Sequence, residues 1–249
     1  MSSIVHSLVR INKLNLNEYL SRKDNFGESR QELKFLVPRS LMPQIVDYLS
    51  GTYDLCLSAD NQMTHAYMSK YFDTEDLMFF NMHRQGKYNR MKVRVREYRN
   101  GESRRFLECK RKIKGYYTIK DRAQLHIEDV HFNDDRIQSR LKEYELHPDH
   151  LEEKARITYN RLIFAAKDRH SRVTVDFGIE AEDTHGNKAS LLPQHCILEV
   201  KSEDTPKEMI SYLKSLGLRP EAFSKYCVSL CMLRDDVRKN KWKQVLKLC

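Results

Sequence analysis

The chain has 249 residues, a formal net charge of +9, 40% hydrophobic and 32% charged residues. That length and apolar content support a sizeable core and exclude a disordered polyelectrolyte, while the basic excess points to nucleic acid, phosphate compounds or anionic lipid. No stretch reaches the roughly 18–20 apolar residues of a membrane span, Asn15, Asn17 and Glu18 interrupt any signal-peptide core, and the six cysteines contain no CxxC pair, so a soluble cytoplasmic protein is expected.

Residues Ser3 to Leu20 are amphipathic, with Ile4, Leu8, Ile11 and Leu14 near helical spacing, which predicts a helical N-terminal extension over 1–24. A strand follows from Arg30 to Val37 and stops at Pro38. Ser40 to Leu49 reads as a helix closed by Gly51. Tyr53–Leu57 and His65–Phe72 read as strands, and Glu75–Met82 as a short helix. Strands resume at Arg90–Tyr98 and Arg105–Lys112, joined by the hairpin signal Arg99-Asn100-Gly101-Glu102. Gly115–Leu125 is another strand. The polar middle, Asn133 to Lys154, reads as helix. Ile157–Phe164, Arg172–Ile179 and His195–Lys201 are strands, the last after a His185-Gly186-Asn187 turn. Thr205-Pro206 opens a helix to about Leu216, and a final helical region runs from Phe223 to Leu248, with 233–249 as a C-terminal extension. No internal repeat or low-complexity linker divides the chain, so 1–249 reads as one domain. About eight mainly antiparallel strands with helices between them suggest an α+β fold around a closed antiparallel β-barrel.

Six of these stretches place charged or polar side chains at every second position: Arg30–Lys34, Lys92–Arg96, Glu108–Lys112, Lys120–Arg122, Arg172–Asp176 and Glu199–Lys201. On a strand such residues share one face. Collected, the faces carry Arg30, Lys34, Lys92, Arg94, Arg96, Lys110, Lys112, Lys120, Arg122, Arg172 and Lys201 against the acids Glu32, Glu108, Asp176 and Glu199. One reading is an antiparallel sheet with its polar face in water. Two features favour a lined interior instead. Lys92, Arg94 and Arg96 crowd like charge on one face, and the opposite faces (Val93, Val95, Leu107, Val173, Val175, Leu198, Val200) are apolar and suited to packing under helices. Unpaired cations inside a barrel cost several kcal/mol each unless anion, water or metal accompanies them, so a lined interior implies an anionic ligand such as a phosphate chain.

The planar fork of arginine grips two phosphate oxygens at once. Glu199 and Glu32 are candidates for Mg²⁺ or Mn²⁺, with phosphate completing the shell; the alternative for each is a salt bridge to a neighbouring Lys. Phosphate-loop signatures, a Ser-His-Asp set and a Cys-His set are all absent. The bases around Trp242 in the tail read as a solvated amphipathic helix.

At these residues the chain resembles the polyphosphate polymerase domain of the vacuolar transporter chaperone family, within the triphosphate tunnel metalloenzymes. The likeness spans about Arg30 to Leu233. It rests on Arg-Gln-Glu-Leu-Lys-Phe at Arg30–Phe35, Tyr-Phe-Asp-Thr at Tyr71–Thr74, Lys-Val-Arg-Val-Arg at Lys92–Arg96 and Phe-Leu-Glu-Cys-Lys at Phe106–Lys110. Further matches are Tyr-Asn-Arg at Tyr159–Arg161, Arg-Val-Thr-Val-Asp at Arg172–Asp176, Leu-Glu-Val-Lys at Leu198–Lys201 and Phe-Ser-Lys-Tyr at Phe223–Tyr226. The wider superfamily opens its signature with ExExK; Arg30 at the first position looks like the polymerase branch.

The resemblance implies a tunnel whose lumen holds triphosphate and the growing polymer. By motif match Lys34, Arg94, Arg96, Lys110, Lys120, Arg161, Arg172, Lys201, Ser224 and Lys225 bind phosphate, and Glu199 holds the metal, Mn²⁺ or Mg²⁺. Arg122, sharing a face with Lys120, joins the substrate-binding set. Arg94, Arg96, Lys110 and Arg172 are the expected catalytic group. The sensing domain and membrane spans of eukaryotic relatives are not in this sequence, so regulation and translocation by them are not expected. The function expected is an ATP-dependent polyphosphate polymerase, with ATP and polyphosphate as partners and nucleic acid not among them. A hydrolase in the same tunnel and a non-enzymatic polyanion binder remain as alternatives.

Overall fold

The computed structural model describes residues 8–15, 18–19, 31–101, 103–113, 117–125, 132, 134–168, 170–203 and 206–249. Arg30, Glu102, Gly115, Thr205 and most of the predicted N-terminal helix lie outside them.

Among the described residues eleven strands form one sheet: β1 Lys13–Leu14, β2 Gln31–Pro38, β3 Tyr53–Cys56, β4 His65–Asp73, β5 Arg90–Tyr98, β6 Arg104–Ile113, β7 Tyr117–Leu125, β8 Glu152–Ala166, β9 Ser171–Glu182, β10 Lys188–Leu191 and β11 His195–Ser202. The main path runs β2-β11-β9-β8-β4-β5-β6-β7. Its pairings are antiparallel; β3 and β10 add to β8 and β9, and β1 pairs parallel with β3. From Met42 onward the α-helices among the described residues are α1 Met42–Thr52, α2 Met78–Arg84, α3 Asp135–Lys142, α4 Lys207–Ser215, α5 Lys225–Leu233 and α6 Lys243–Leu246. No helix among the described residues is long and apolar enough to cross a membrane.

The alternation in β5 decides which face is which. Met91, Val93 and Val95 are buried, and Lys92, Arg94 and Arg96 face the other way. The apolar side of β5 and β6 packs against Phe79 of α2 and Ile137 and Leu141 of α3. The apolar side of β2, β9 and β11 packs against Ile45, Val46 and Leu49 of α1 and Met209 and Leu213 of α4. Burying such branched and aromatic side chains stabilises by about 1.5–3 kcal/mol each, so the register cannot slip by one residue without exposing them.

The sheet is not a closed barrel, which corrects the expected fold. Among the described residues β7 and β2 do not pair, although they end the path. The reason lies at the free edge of β2. Phe35 bridges to Pro220, and the Glu221 N–H donates to the Lys34 carbonyl at 2.7 Å. That segment occupies bonds a closing strand would need, and Pro220 itself has no N–H to donate. A side-chain contact links the two ends of the sheet instead: Lys110 of β6, next to the edge strand β7, reaches Glu32 of β2 at 3.2 Å.

Three local readings also change. Lys13–Leu14 within the predicted N-terminal helix is strand β1. The helix read through Asn133–Lys154 stops at Lys142, and β8 begins at Glu152; its first residues, Glu152, Glu153 and Lys154, are charged and lack a strand signature. β10 is short and was not anticipated.

A bulge in β9 against β8 sets the character of the concave face. The register shifts between Thr158 and Asn160, opposite Gly178 with φ +58°. Glycine takes this backbone region without penalty, and the extra residue flips the side-chain parity. Arg172, Thr174 and Asp176 therefore share their face with Ile179 and Ala181. The apolar pair packs beneath α5 through Tyr226, Cys227 and Leu230. The buried Asp73 carboxylate fixes this arrangement: it accepts from the backbone of Thr74, Phe79 and Phe80 and from Tyr226 Oη at 2.6 Å.

Candidate active site

The concave face carries the charged residues at defined rungs. Arg94 of β5 sits opposite Tyr71 of β4 and Glu108 of β6, and Glu108 sits opposite Arg122 of β7. Glu199 of β11 lies between Lys34 and Thr174, and Lys201 between Glu32 and Arg172. Arg161 faces Asp176.

Each carboxylate is a hub. Glu108, 1% exposed at its side chain, takes Arg94 at 2.6 Å, Lys120 at 2.6 Å and Arg122 at 3.5 Å. Burial alone would raise its pKa, but Arg94, Arg96 and Lys120 outweigh that and hold it far below the usual range. Asp176 takes Arg161 through both oxygens, at 2.5 and 2.8 Å, and also Lys225; burial opposes ionisation, yet Arg161 and Lys225 bring it down to about 2. Glu32 collects Lys34 at 2.8 Å, Lys110 at 3.2 Å and Lys201 at 3.9 Å. Glu199 pairs with Lys201.

The remaining predicted residues hold neutral partners. Arg96 donates to Tyr159 Oη at 3.0 Å, and its Nε has no hydrogen-bond partner. Arg172 donates to Tyr19 Oη at 2.6 Å, again with Nε unpartnered. Ser224 caps α5 and accepts from Lys92 Nζ at 3.0 Å. Every predicted site residue thus lies on or at the rim of this face. Ser69 Oγ and Thr174 Oγ1, buried on the same face, also lack partners. These hydroxyls lie beside an excess of cations on one face of the sheet.

Sequence reasoning missed the tyrosines. Tyr67 and Tyr159 stack at 5.2 Å, the Arg96 and Arg161 guanidiniums lie 5.3 and 5.4 Å from the Tyr67 ring, and Arg94 donates to Tyr71 Oη at 3.1 Å. These rings orient guanidiniums without neutralising them. Burial would raise Tyr71, but Arg94, Arg96, Lys92 and Lys225 bring its phenol down to about 8. The available signal was the even spacing of Tyr67 and Tyr71, which puts both on one face of β4. Lys92 was read on the charged face but left out of the site.

For a divalent cation the donor set fits. The Lys201 ammonium sits between the Glu199 and Glu32 carboxylates, a place where a hard cation finds two carboxylate donors. Among the described residues no three His, Cys, Asp or Glu cluster, so the rest of a shell would come from water and phosphate oxygens, the common Mg²⁺ arrangement.

Burial pushes Lys92 down to about 8, and Lys120 likewise to about 8 despite Glu108. Both lose protons as pH rises through that value, and a bound polyanion favours the charged form. Tripolyphosphate binding should therefore take up protons between about pH 7 and 9 and weaken above 8. Calorimetry in two buffers of different ionisation enthalpy measures the uptake. Lys92→Arg, whose guanidinium stays charged, should reduce it; equal uptake in wild type and variant would detach Lys92 from the anion.

Solved structures share the fold: a candidate adenylate cyclase from Bacillus halodurans aligns over 79% of this chain and 95% of its own at 13% identity, TM-score 0.53. A candidate adenylyl cyclase from Hippeastrum with a dominant triphosphatase activity aligns over 82% and 97% at 17% identity, TM-score 0.53. Likeness at these identities shows the fold alone. No curated protein matches in sequence. The chain belongs to the VTC domain family, whose model matches residues 29–234.

Proposed function

We propose that the protein is an ATP-dependent polyphosphate polymerase. It transfers the γ-phosphoryl group of a nucleoside triphosphate to the terminal oxygen of a phosphate chain and releases the diphosphate. The supporting observation is the cation belt itself, with Arg96, Arg172 and Lys92 free of any carboxylate within ion-pairing distance among the described residues. Phosphoryl transfer depends on positioning and charge stabilisation more than on covalent chemistry. Arg94, Arg96 and Arg172 clamp the transferring group, with Lys110 beside them. Lys34, Lys120, Arg122, Arg161, Lys201, Ser224 and Lys225 position the rest of the triphosphate and chain. A terminal phosphate oxygen is already an anion, so no protein base has to remove a proton from it.

The Hippeastrum protein's triphosphatase activity favours one rival, hydrolysis in the same lumen. Purified protein given ATP and Mn²⁺ should accumulate acid-labile polymer and ADP in step. Orthophosphate without polymer would overturn the polymerase reading and leave hydrolysis.

Glu199, with Glu32 beside it, would hold Mn²⁺ or Mg²⁺. The ion would offset charge on the triphosphate oxygens. Glu199→Gln should remove metal-dependent turnover while tripolyphosphate still binds the bases. Superimposable Mn²⁺ titrations of wild type and variant would instead assign Glu199 to simple pairing with Lys201.

A further inference from the structure

We infer that Arg90, Lys112 and Lys241 form a second anion subsite, joined to the lumen through Lys92, that holds phosphates of a linear polyphosphate beyond those in the belt. The inference rests on the polyphosphate reading above.

The rungs of β5 and β6 differ along their length. Arg94 faces Glu108, an acid between bases. One step toward the start of β5, Lys92 faces Lys110; at the next, Arg90 faces Lys112. Like charges directly opposed on an antiparallel pair repel. Lys110 has Glu32 at 3.2 Å. Lys92, Arg90 and Lys112 have no carboxylate within ion-pairing distance among the described residues. Lys92 donates to Ser224 and Arg90 to the Lys87 carbonyl at 2.8 Å, both neutral acceptors. Two successive rungs of opposed cations thus lie on the stretch of β5 and β6 from which Lys110 reaches Glu32 of β2.

Lys241, from the C-terminal segment, extends the group. Its ammonium donates to the His83 carbonyl and approaches Gly86, where an added Cβ would lie 3.8 Å away. Lys92, Arg90 and Lys241 all act on the same His83 imidazole, which burial and these neighbours keep neutral. Two chain segments, β5 and the C-terminal segment, therefore bring positive charge to His83, and none of these cations has a carboxylate within ion-pairing distance among the described residues. Charge-bearing side chains two residues apart on a strand sit about 7 Å from each other, so a linear polyanion leaving the lumen meets one after another. A triphosphate is too short to occupy both belt and track, so the track selects for chain length.

The test compares tripolyphosphate with a long linear polyphosphate in binding to the full chain, for wild type, Arg90→Ala/Lys112→Ala and Lys241→Ala. Wild type should bind the long chain more tightly. The double variant should lose about tenfold for the long chain, the sum of two rim contacts, and stay within about twofold for tripolyphosphate. Lys241→Ala, on a separate segment, should shift the long chain alone by a smaller factor. Removing opposed cations relieves repulsion, so the melting temperature should hold or rise. Equal losses for both ligands, no loss for either, or single-stranded RNA competing as well as polyphosphate would each overturn the subsite. A failed polymer assay alongside an intact chain-length effect would sink the enzymatic reading and leave the subsite; the reverse pattern would sink only the subsite.

Discussion

Arg96→Ala should cut turnover by one to two orders of magnitude and leave the fold intact or slightly more stable. Arg96, like Arg172, has a geometry that favours substrate over structure. Its NH2 group meets only the Tyr159 hydroxyl, and its Nε has no hydrogen-bond partner. Losing a charge-assisted phosphate contact is worth roughly 1.5–3 kcal/mol, about ten- to a hundredfold in rate. Removing this cation strands no carboxylate and relieves repulsion from Arg94, which lies two residues away on the same face. Arg94→Ala should behave differently. Arg94 gives Nε and NH2 to one oxygen of Glu108, at 2.8 and 2.6 Å, and NH1 to Tyr71, so its loss should lower both turnover and melting temperature. Steady-state kinetics with thermal denaturation separates the two. If Arg96→Ala retains full activity, the tyrosine-held guanidinium is a packing element and the belt grips phosphate elsewhere.

The difference between these arginines marks where sequence reading stops. Alternation along Lys92–Arg96 is enough to put both on one face and the valines on the other, because burying Val93 and Val95 fixes the parity of the whole strand. It says nothing of what stands opposite. Glu108 reads as one acid among many bases until the β5–β6–β7 register places it between Arg94 and Arg122. Asp176 likewise gains its meaning from Arg161 on β8 and Lys225 on a helix 49 residues away. The expected barrel failed for a related reason. A polar face needing shelter argues for closure, but closure depends on the edges, and Pro220, remote in sequence, comes to lie against Phe35 on the edge of β2. The tyrosine layer was hidden because Tyr is equally at home in a core; only its stacking against guanidiniums separates the two roles.

Glu108→Gln should cost about 3 kcal/mol of stability, and tripolyphosphate should restore more of it than the same ligand adds to wild type. The carboxylate is buried, and three cations converge on it. Taking away the shared partner of buried charges costs about 3–5 kcal/mol. The low end applies because the Lys120 and Arg122 side chains remain 37% and 31% exposed and recover part of the loss from water. Since Glu108 ionises far below its ordinary range, its contribution is full above the ordinary carboxylate value and is lost as pH falls from there through the lowered folded-state value, so the comparison belongs at pH 7. In the variant Arg94, Lys120 and Arg122 are left with one common need, which a polyanion meets. Ligand binding to the native state stabilises by RT ln(1 + [L]/Kd), about 2.7 kcal/mol at a hundredfold excess over Kd. A lumen stripped of its internal carboxylate should bind the anion more tightly and show the larger shift at equal concentration. Denaturant melts of both proteins with and without tripolyphosphate read this directly. Equal ligand shifts, or a variant as stable as wild type without ligand, would mean that water already satisfies these cations and that Glu108 does not compete with phosphate for them.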